Sequence, residues 1–235
     1  MATNPMQQFE VHRIGPSLSF NGIDLSFTNS SLFMLISSIL IIFFFIAGTR
    51  KVNIIPGKIQ LLNELVFNFI SKMINETVGP NARPYFPFIL TIFLFILTLN
   101  MVGLLPYAFT VTSQIIITFF LAIVIFIGVT IVGFAKNGIG FLKIFAPSGV
   151  PVFLFPIIVA IEIISFLSRP ISLSVRLFAN MLAGHTMLKV FGGFVVSLGI
   201  IGGWLPLSFS VALTALEILV AFLQAYVFAV LSCIY

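Results

Sequence analysis

From Ser31 to Gly48 the chain carries no charged residue, and the run is as long as a helix needs to cross a bilayer, about 20 apolar residues. Comparable runs recur at 85–107 and 114–135, and two longer ones follow at 150–193 and 205–235. The fold class expected is therefore an all-α polytopic membrane protein with about five membrane helices. Composition agrees: 60% of the residues are hydrophobic and 7% are charged, where a soluble domain carries about 25%. The 235 residues leave no room for a separate soluble catalytic domain. The organisation expected is an outer-side N-terminal segment over 1–30 and one membrane domain over 31–235. Residues 1–29 lack a basic stretch leading directly into an apolar one, so the first helix is expected to stay as a signal anchor. The single cysteine, Cys233, rules out an intrachain disulfide and a cysteine metal cluster.

Residues 57–78 break the pattern. Leu62, Val66, Phe69 and Met73 form one stripe, and Lys58, Asn63, Glu64, Asn68, Lys72 and Glu76 supply a polar side. That is the layout of an interfacial amphipathic helix; the plain alternative is a surface helix packed on other protein. Gly79-Pro80 ends it. The two last runs exceed what crosses a bilayer, so they must tilt, kink or project beyond lipid. Pro156 and Pro170 are candidate kinks, and 199–204 is the expected turn between the two.

Charge sets the orientation. Of the eleven Lys and Arg, seven (Arg50, Lys51, Lys58, Lys72, Arg83, Lys136 and Lys143) lie in the loops after the first and third spans. Those loops share a side, which the positive-inside rule makes cytoplasm or matrix. The N-terminus and the 199–204 turn are then outside. The net charge of +5 thus reads as topology, with no basic patch for nucleic acid.

Arg169, Arg176, Asn180 and His185 fall inside apolar sequence. An arginine at the bilayer centre costs roughly 2.5–3.5 kcal/mol on insertion scales, and intramembrane ionisable residues usually mark an ion path, a counter-charge or a protein-facing contact. Glu162, Arg169 and Arg176 are spaced by seven, Arg176 and Asn180 by four, and His185 falls half a turn out of phase with Arg176. In the last helix Glu217, Ala221 and Gln224 share a face. Ala179/Ala183 and Gly199/Gly203 would allow close helix approach. For Arg169 the plain alternative is snorkelling to a headgroup; for Asn180 and Gln224 it is interhelical hydrogen bonding. Taken together, a fixed cation, two acids and an imidazole are the inventory of a proton path. The sequence has no Gly-rich phosphate loop ending in Lys-Ser/Thr, and its two histidines lie far apart, so no nucleotide, metal or other cofactor is expected.

The run Arg176-Leu177-Phe178-Ala179-Asn180-Met181-Leu182-Ala183-Gly184-His185 resembles the most specific motif of subunit a (subunit 6) of the F-type ATP synthase. The likeness extends to Asn100–Pro106, to Glu162 with the Arg169-Pro170 pair, to Glu217–Gln224, and over nearly all the chain after residue 5. Many bacterial members carry an acid at the position of His185 and a histidine at that of Glu217; the arrangement here is similar to mitochondrial and alphaproteobacterial members. The resemblance implies a non-catalytic proton-translocating stator subunit, with the last two helices a tilted hairpin against a c-ring. Arg176 would face the ring carboxylate. His185 and Glu217 would line an outer half-channel, Glu162 and Asn100 an inner one, with Asn180 and Gln224 along the paths. Partners would be the c-ring, the peripheral stalk, the lipid bilayer and protons. The location implied is the mitochondrial inner membrane, or alternatively an alphaproteobacterial plasma membrane. A self-contained transporter would often show internal repeats, and none is visible. A purely structural subunit would leave Arg176 unexplained.

Overall fold

A computed structural model describes residues 9–14, 19–20, 23–24, 26–50, 53–105, 108–138, 140–141 and 154–234. Apart from two antiparallel strands of two residues each, the regular structure is helical: α1 (Asn29–Thr49), α2 (Lys58–Thr77), α3 (Phe86–Gly103), α4 (Ile115–Asn137), α5 (Phe155–Gly202) and α6 (Trp204–Ile234), with short 3-10 turns at Pro80–Tyr85 and Val111–Ser113. Five helices among the described residues are long and apolar enough to cross a membrane, all but α2. Lys51 and Lys143, two of the basic residues used for orientation, lie outside the described residues.

In hydrocarbon every backbone polar group must be bonded within the segment, which leaves helices as the economical solution. The exposed ends are closed locally. Thr28 caps α1: its hydroxyl accepts from the Ser31 N–H at 3.4 Å while its own N–H donates to Ser31 Oγ at 3.0 Å. Hydroxyls turn back onto their own helix, as buried Ser37 does to the Phe33 carbonyl at 2.9 Å and half-buried Thr130 to Phe126 at 2.7 Å. Large apolar side chains such as Phe43, Ile116, Phe120 and Ile131 remain exposed, as a lipid solvent permits.

The main core joins Ile89, Phe93 and Ile96 of α3 to Ala225, Phe228 and Ala229 of α6, with Leu173 and Leu177 of α5 and Ile70 and Ile74 of α2. A smaller cluster of Leu99, Phe109 and Val111, joined by Phe33 and Ile117, closes the end where α1 begins and α3 stops.

Three features of the structure differ from or add to the sequence reading. First, α2 buries Gln60, Asn63, Ile70, Met73 and Ile74 against the rest of the protein, while Leu62 and Phe69 of the apolar stripe are exposed. The reason is Asn63, whose Nδ2 donates to the Phe44 carbonyl at 3.2 Å and lies against Gly48, where any Cβ would collide with it. The helix therefore packs on α1 with part of its face and leaves Leu62 and Leu65 outward, while the Phe69 ring meets Phe93, Phe222 and Tyr226. Second, α3 ends at Gly103, short of 107; Pro106 and Tyr107 lie outside the described residues. Third, α5 runs past 193 to the turn itself, where Gly199 leaves helical geometry (φ 63°, ψ −161°) and the Gly203 N–H donates back to its carbonyl at 2.9 Å. That left-handed φ suits glycine. Pro156 occupies the first turn of α5, where its missing N–H costs nothing, and Pro170 sits inside the helix with helical backbone angles. The expected start of this run at 150–153 lies outside the described residues.

Candidate functional site

The antiparallel pair α5–α6, backed by α3, builds the site. His185 lies on the buried side of α5 and Glu217 on the buried side of α6, 8% and 4% exposed. Their Nε2 and Oε1 atoms are 3.5 Å apart. Two different helices thus deliver an imidazole and a carboxyl group to one apolar interior. A lone carboxylate there would be very costly, so proximity to a group that can carry the compensating proton matters.

Gly184 makes the approach possible. A Cβ at that position would lie 2.6 Å from Glu217 Oε1 and 2.9 Å from its Cδ. Along α6, Ala221 and Gln224 continue the buried face, and Asn100 of α3 donates from Nδ2 to the Ala221 carbonyl at 3.3 Å. Eight buried side-chain polar atoms among the described residues lack a hydrogen-bond partner, and five of them belong to His185, Glu217, Gln224 and Asn100. Native interiors satisfy nearly all such atoms, so their concentration here marks a polar track through an otherwise greasy bundle.

The other sequence candidates fall elsewhere. Arg176 is exposed, on the opposite side of α5 from His185, as the half-turn phase difference requires. Asn180 is half-buried one turn further on. Glu162 is half-buried near the start of α5, about 35 Å along the helix from His185 at 1.5 Å per residue. Asn100 is bonded to α6 at Ala221, on the face that also carries Glu217 and Gln224. Arg169 is half-buried with its guanidinium 5.8 Å from the centre of the Phe166 ring, so the seven-residue spacing does not give it the setting of Arg176. Ala179 and Ala183 are exposed on the side of Arg176; inside the bundle, Gly184 makes a close approach to Glu217.

Four further residues at the site escaped the sequence reading. Lys189, four positions after His185, carried a visible signal as a cation in an apolar helix. Gly184 had only its place in the motif. Phe9 meets the His185 ring edge-on, with centroids 6.5 Å apart, and its carbonyl accepts from Gln114 Nε2 at 2.7 Å; nothing in the local sequence announces either contact. Among the described residues no three His, Cys, Asp or Glu side chains gather closely enough to hold a metal ion.

Residues 31–235 match the family described as ATP synthase A chain. The chain belongs to that family. It is 68% identical over 235 residues to "ATP synthase subunit a" of Pelagibacter ubique (strain HTCC1062), covering 100% of this chain and 96% of the relative. It is 54% identical over 241 residues to the protein of the same description from Rhizobium rhizogenes (strain K84 / ATCC BAA-868), covering 100% and 96%. A third, from Parvibaculum lavamentivorans, is 54% identical over 238 residues, covering 99% and 91%. This ATP synthase A chain family member is thus a multi-pass membrane protein whose relatives named here are alphaproteobacterial, which favours the plasma membrane over the mitochondrion.

Proposed function

We propose that this chain is the proton-translocating stator subunit of an F-type ATP synthase, working in an alphaproteobacterial plasma membrane. The observation that carries the reading is the division of α5: exposed Arg176 on one side, and the buried His185–Glu217 pair on the other. A proton enters from the outer side past His185 and Glu217, with Asn100 and Gln224 continuing the polar track, and neutralises a carboxyl group on a rotating c-ring. The neutral group can then move through lipid at a desolvation cost an ionised one could not meet. After nearly a full turn it reaches an inner path by Glu162 and loses its proton. Arg176, flanked by Asn180, stabilises the ionised form and blocks direct passage between the two paths. Among the described residues no ion pair joins Arg176 to an acid of this chain, and an exposed guanidinium suits an intermolecular partner. Each charge crossing supplies about 2.3 kcal/mol per 100 mV, so several ring steps combine for each ATP. The chain itself performs no nucleotide chemistry; that belongs to other subunits, held to it through the c-ring and the peripheral stalk.

Reconstitution tests this directly. Liposomes holding this chain alone should pass few protons, and adding the c-ring should restore flux. In the full complex Arg176→Ala should leak protons without ATP synthesis. High flux through the isolated chain would point to a self-contained channel and overturn the proposal. Sidedness has its own check: cysteines at Lys58 and Lys143 should react from the cytoplasmic side, and labelling from opposite sides would refute the orientation.

A further inference from the structure

We propose that Phe9 is a positioning residue of the proton path, closing the outward end of the His185–Glu217 pair and holding the imidazole against the carboxyl group. The proposal rests on reading that pair as part of the path. Phe9 is half-buried and presents its ring edge-on to the imidazole at 6.5 Å, an arrangement aromatic rings favour. The Lys189 ammonium stands 5.9 Å from the centre of the same ring, within reach of a cation–π contact. One side chain therefore touches both α5 residues that face this end.

Phe9 is not a loose terminus. Gln114, at the start of α4, donates to its carbonyl at 2.7 Å. The next residues are pinned along the start of α1: Asn29 Nδ2 donates to the Glu10 carbonyl at 3.2 Å, the Asn29 N–H to the His12 carbonyl at 3.0 Å, and the Ile14 N–H to the Phe27 carbonyl at 2.9 Å. Residues 9–14 thus form a strap fastened at the beginnings of α1 and α4, and its end is set down on α5. A ring needed only for packing would find apolar neighbours in plenty in this chain. This one is set against an imidazole whose Nε2 lies 3.5 Å from Glu217 Oε1. Such a plug limits the water that reaches the pair and narrows the imidazole's orientations, two things a directional proton step needs.

The test uses the whole complex in membranes, with Cys233→Ser so that a cysteine placed at His185 is the sole thiol of this chain. A charged methanethiosulfonate reagent added from the outer side reports access. Phe9→Ala should raise the labelling rate of His185→Cys several-fold, Phe9→Tyr should restore the slow rate, and Gln114→Ala should raise it by loosening the strap while keeping the ring. In complexes that retain His185, proton-driven ATP synthesis should fall several-fold with Phe9→Ala and stay near normal with Phe9→Tyr. Equal labelling in the parent, Phe9→Ala and Gln114→Ala complexes overturns the assignment. If Phe9→Ala prevents assembly, the Gln114→Ala rate decides. Failure of the underlying reading is separable: intact proton-driven synthesis in a Glu217→Gln complex would remove the path itself, whatever the labelling rates.

Discussion

One side of α5 presents Arg176 on the outside of the protein among Ser172, Ala179 and Ala183, and the other side buries His185 against Glu217, which Gly184 lets come close. The two settings are nine residues apart on one helix. On the exposed side small side chains leave the guanidinium accessible to something outside this chain. On the buried side the groups are few, close and enclosed, and their proton can be exchanged between partners without a charge standing alone in an apolar interior. A permanent charge and a changeable one are thus kept apart by the helical period alone.

The largest expected effect attacks the exposed side. Arg176→Lys keeps a cation but loses the planar, weakly hydrated fork that pairs with a carboxylate through two bonds. Proton-driven ATP synthesis should be abolished in an assembled complex, and near-normal synthesis would end the claim that the guanidinium separates the two paths. Next comes the buried side. Glu217→Gln keeps shape and removes the titratable proton, so proton uptake should fall by roughly the 10²-fold or more typical of losing a proton-transfer group, with assembly intact. Rapid-uptake measurements in inverted and right-side-out vesicles would show it.

A smaller effect is expected where the two sides meet. Gly184→Ala would put a Cβ into the Glu217 carboxyl group, displacing it from His185 at an overpacking cost of about 1–3 kcal/mol. Synthesis should drop several-fold while Ala183→Ser, on the exposed side, changes it little. If both substitutions act alike, the contrast between the two faces is wrong. The smallest effect belongs to Asn100→Leu, which removes one interhelical hydrogen bond worth about 0.6 kcal/mol on average within a membrane. A slight fall in thermal stability with a modest loss of proton flux is the expected result.

The helices themselves were legible because lipid imposes one length and one way of satisfying the backbone. The spans at 31–48, 114–135 and 205–235 shift by three residues or fewer in the structure. The shared face of Glu217, Ala221 and Gln224 followed from periodicity, and so did the opposition of Arg176 and His185. What periodicity cannot see is which turn of one helix meets which turn of another. That is why the bond from Asn100 to the Ala221 carbonyl and the close approach of Gly184 to Glu217 could not be read from spacing. The burial of Asn63 in α2 was hidden for a related reason: an asparagine whose amide N–H bonds a carbonyl on α1 reads as a polar-face residue until its partner is known. Phe9 was beyond any local pattern, since its meaning lies in residues 105 and 176 positions away.

The length of α5 has a geometric result. From Phe155 to Leu198, before Gly199 leaves helical geometry, it is a rod about 65 Å long, against a hydrocarbon layer about 30 Å thick. A rod of that length kept within the layer lies nearer to the plane of the sheet than to its normal. Position along it then becomes mostly sideways displacement, so Glu162 and His185 stand at different compass bearings as well as different heights. A wheel turning past such a ramp would meet them one after the other, and its sense of rotation would be written into the slope.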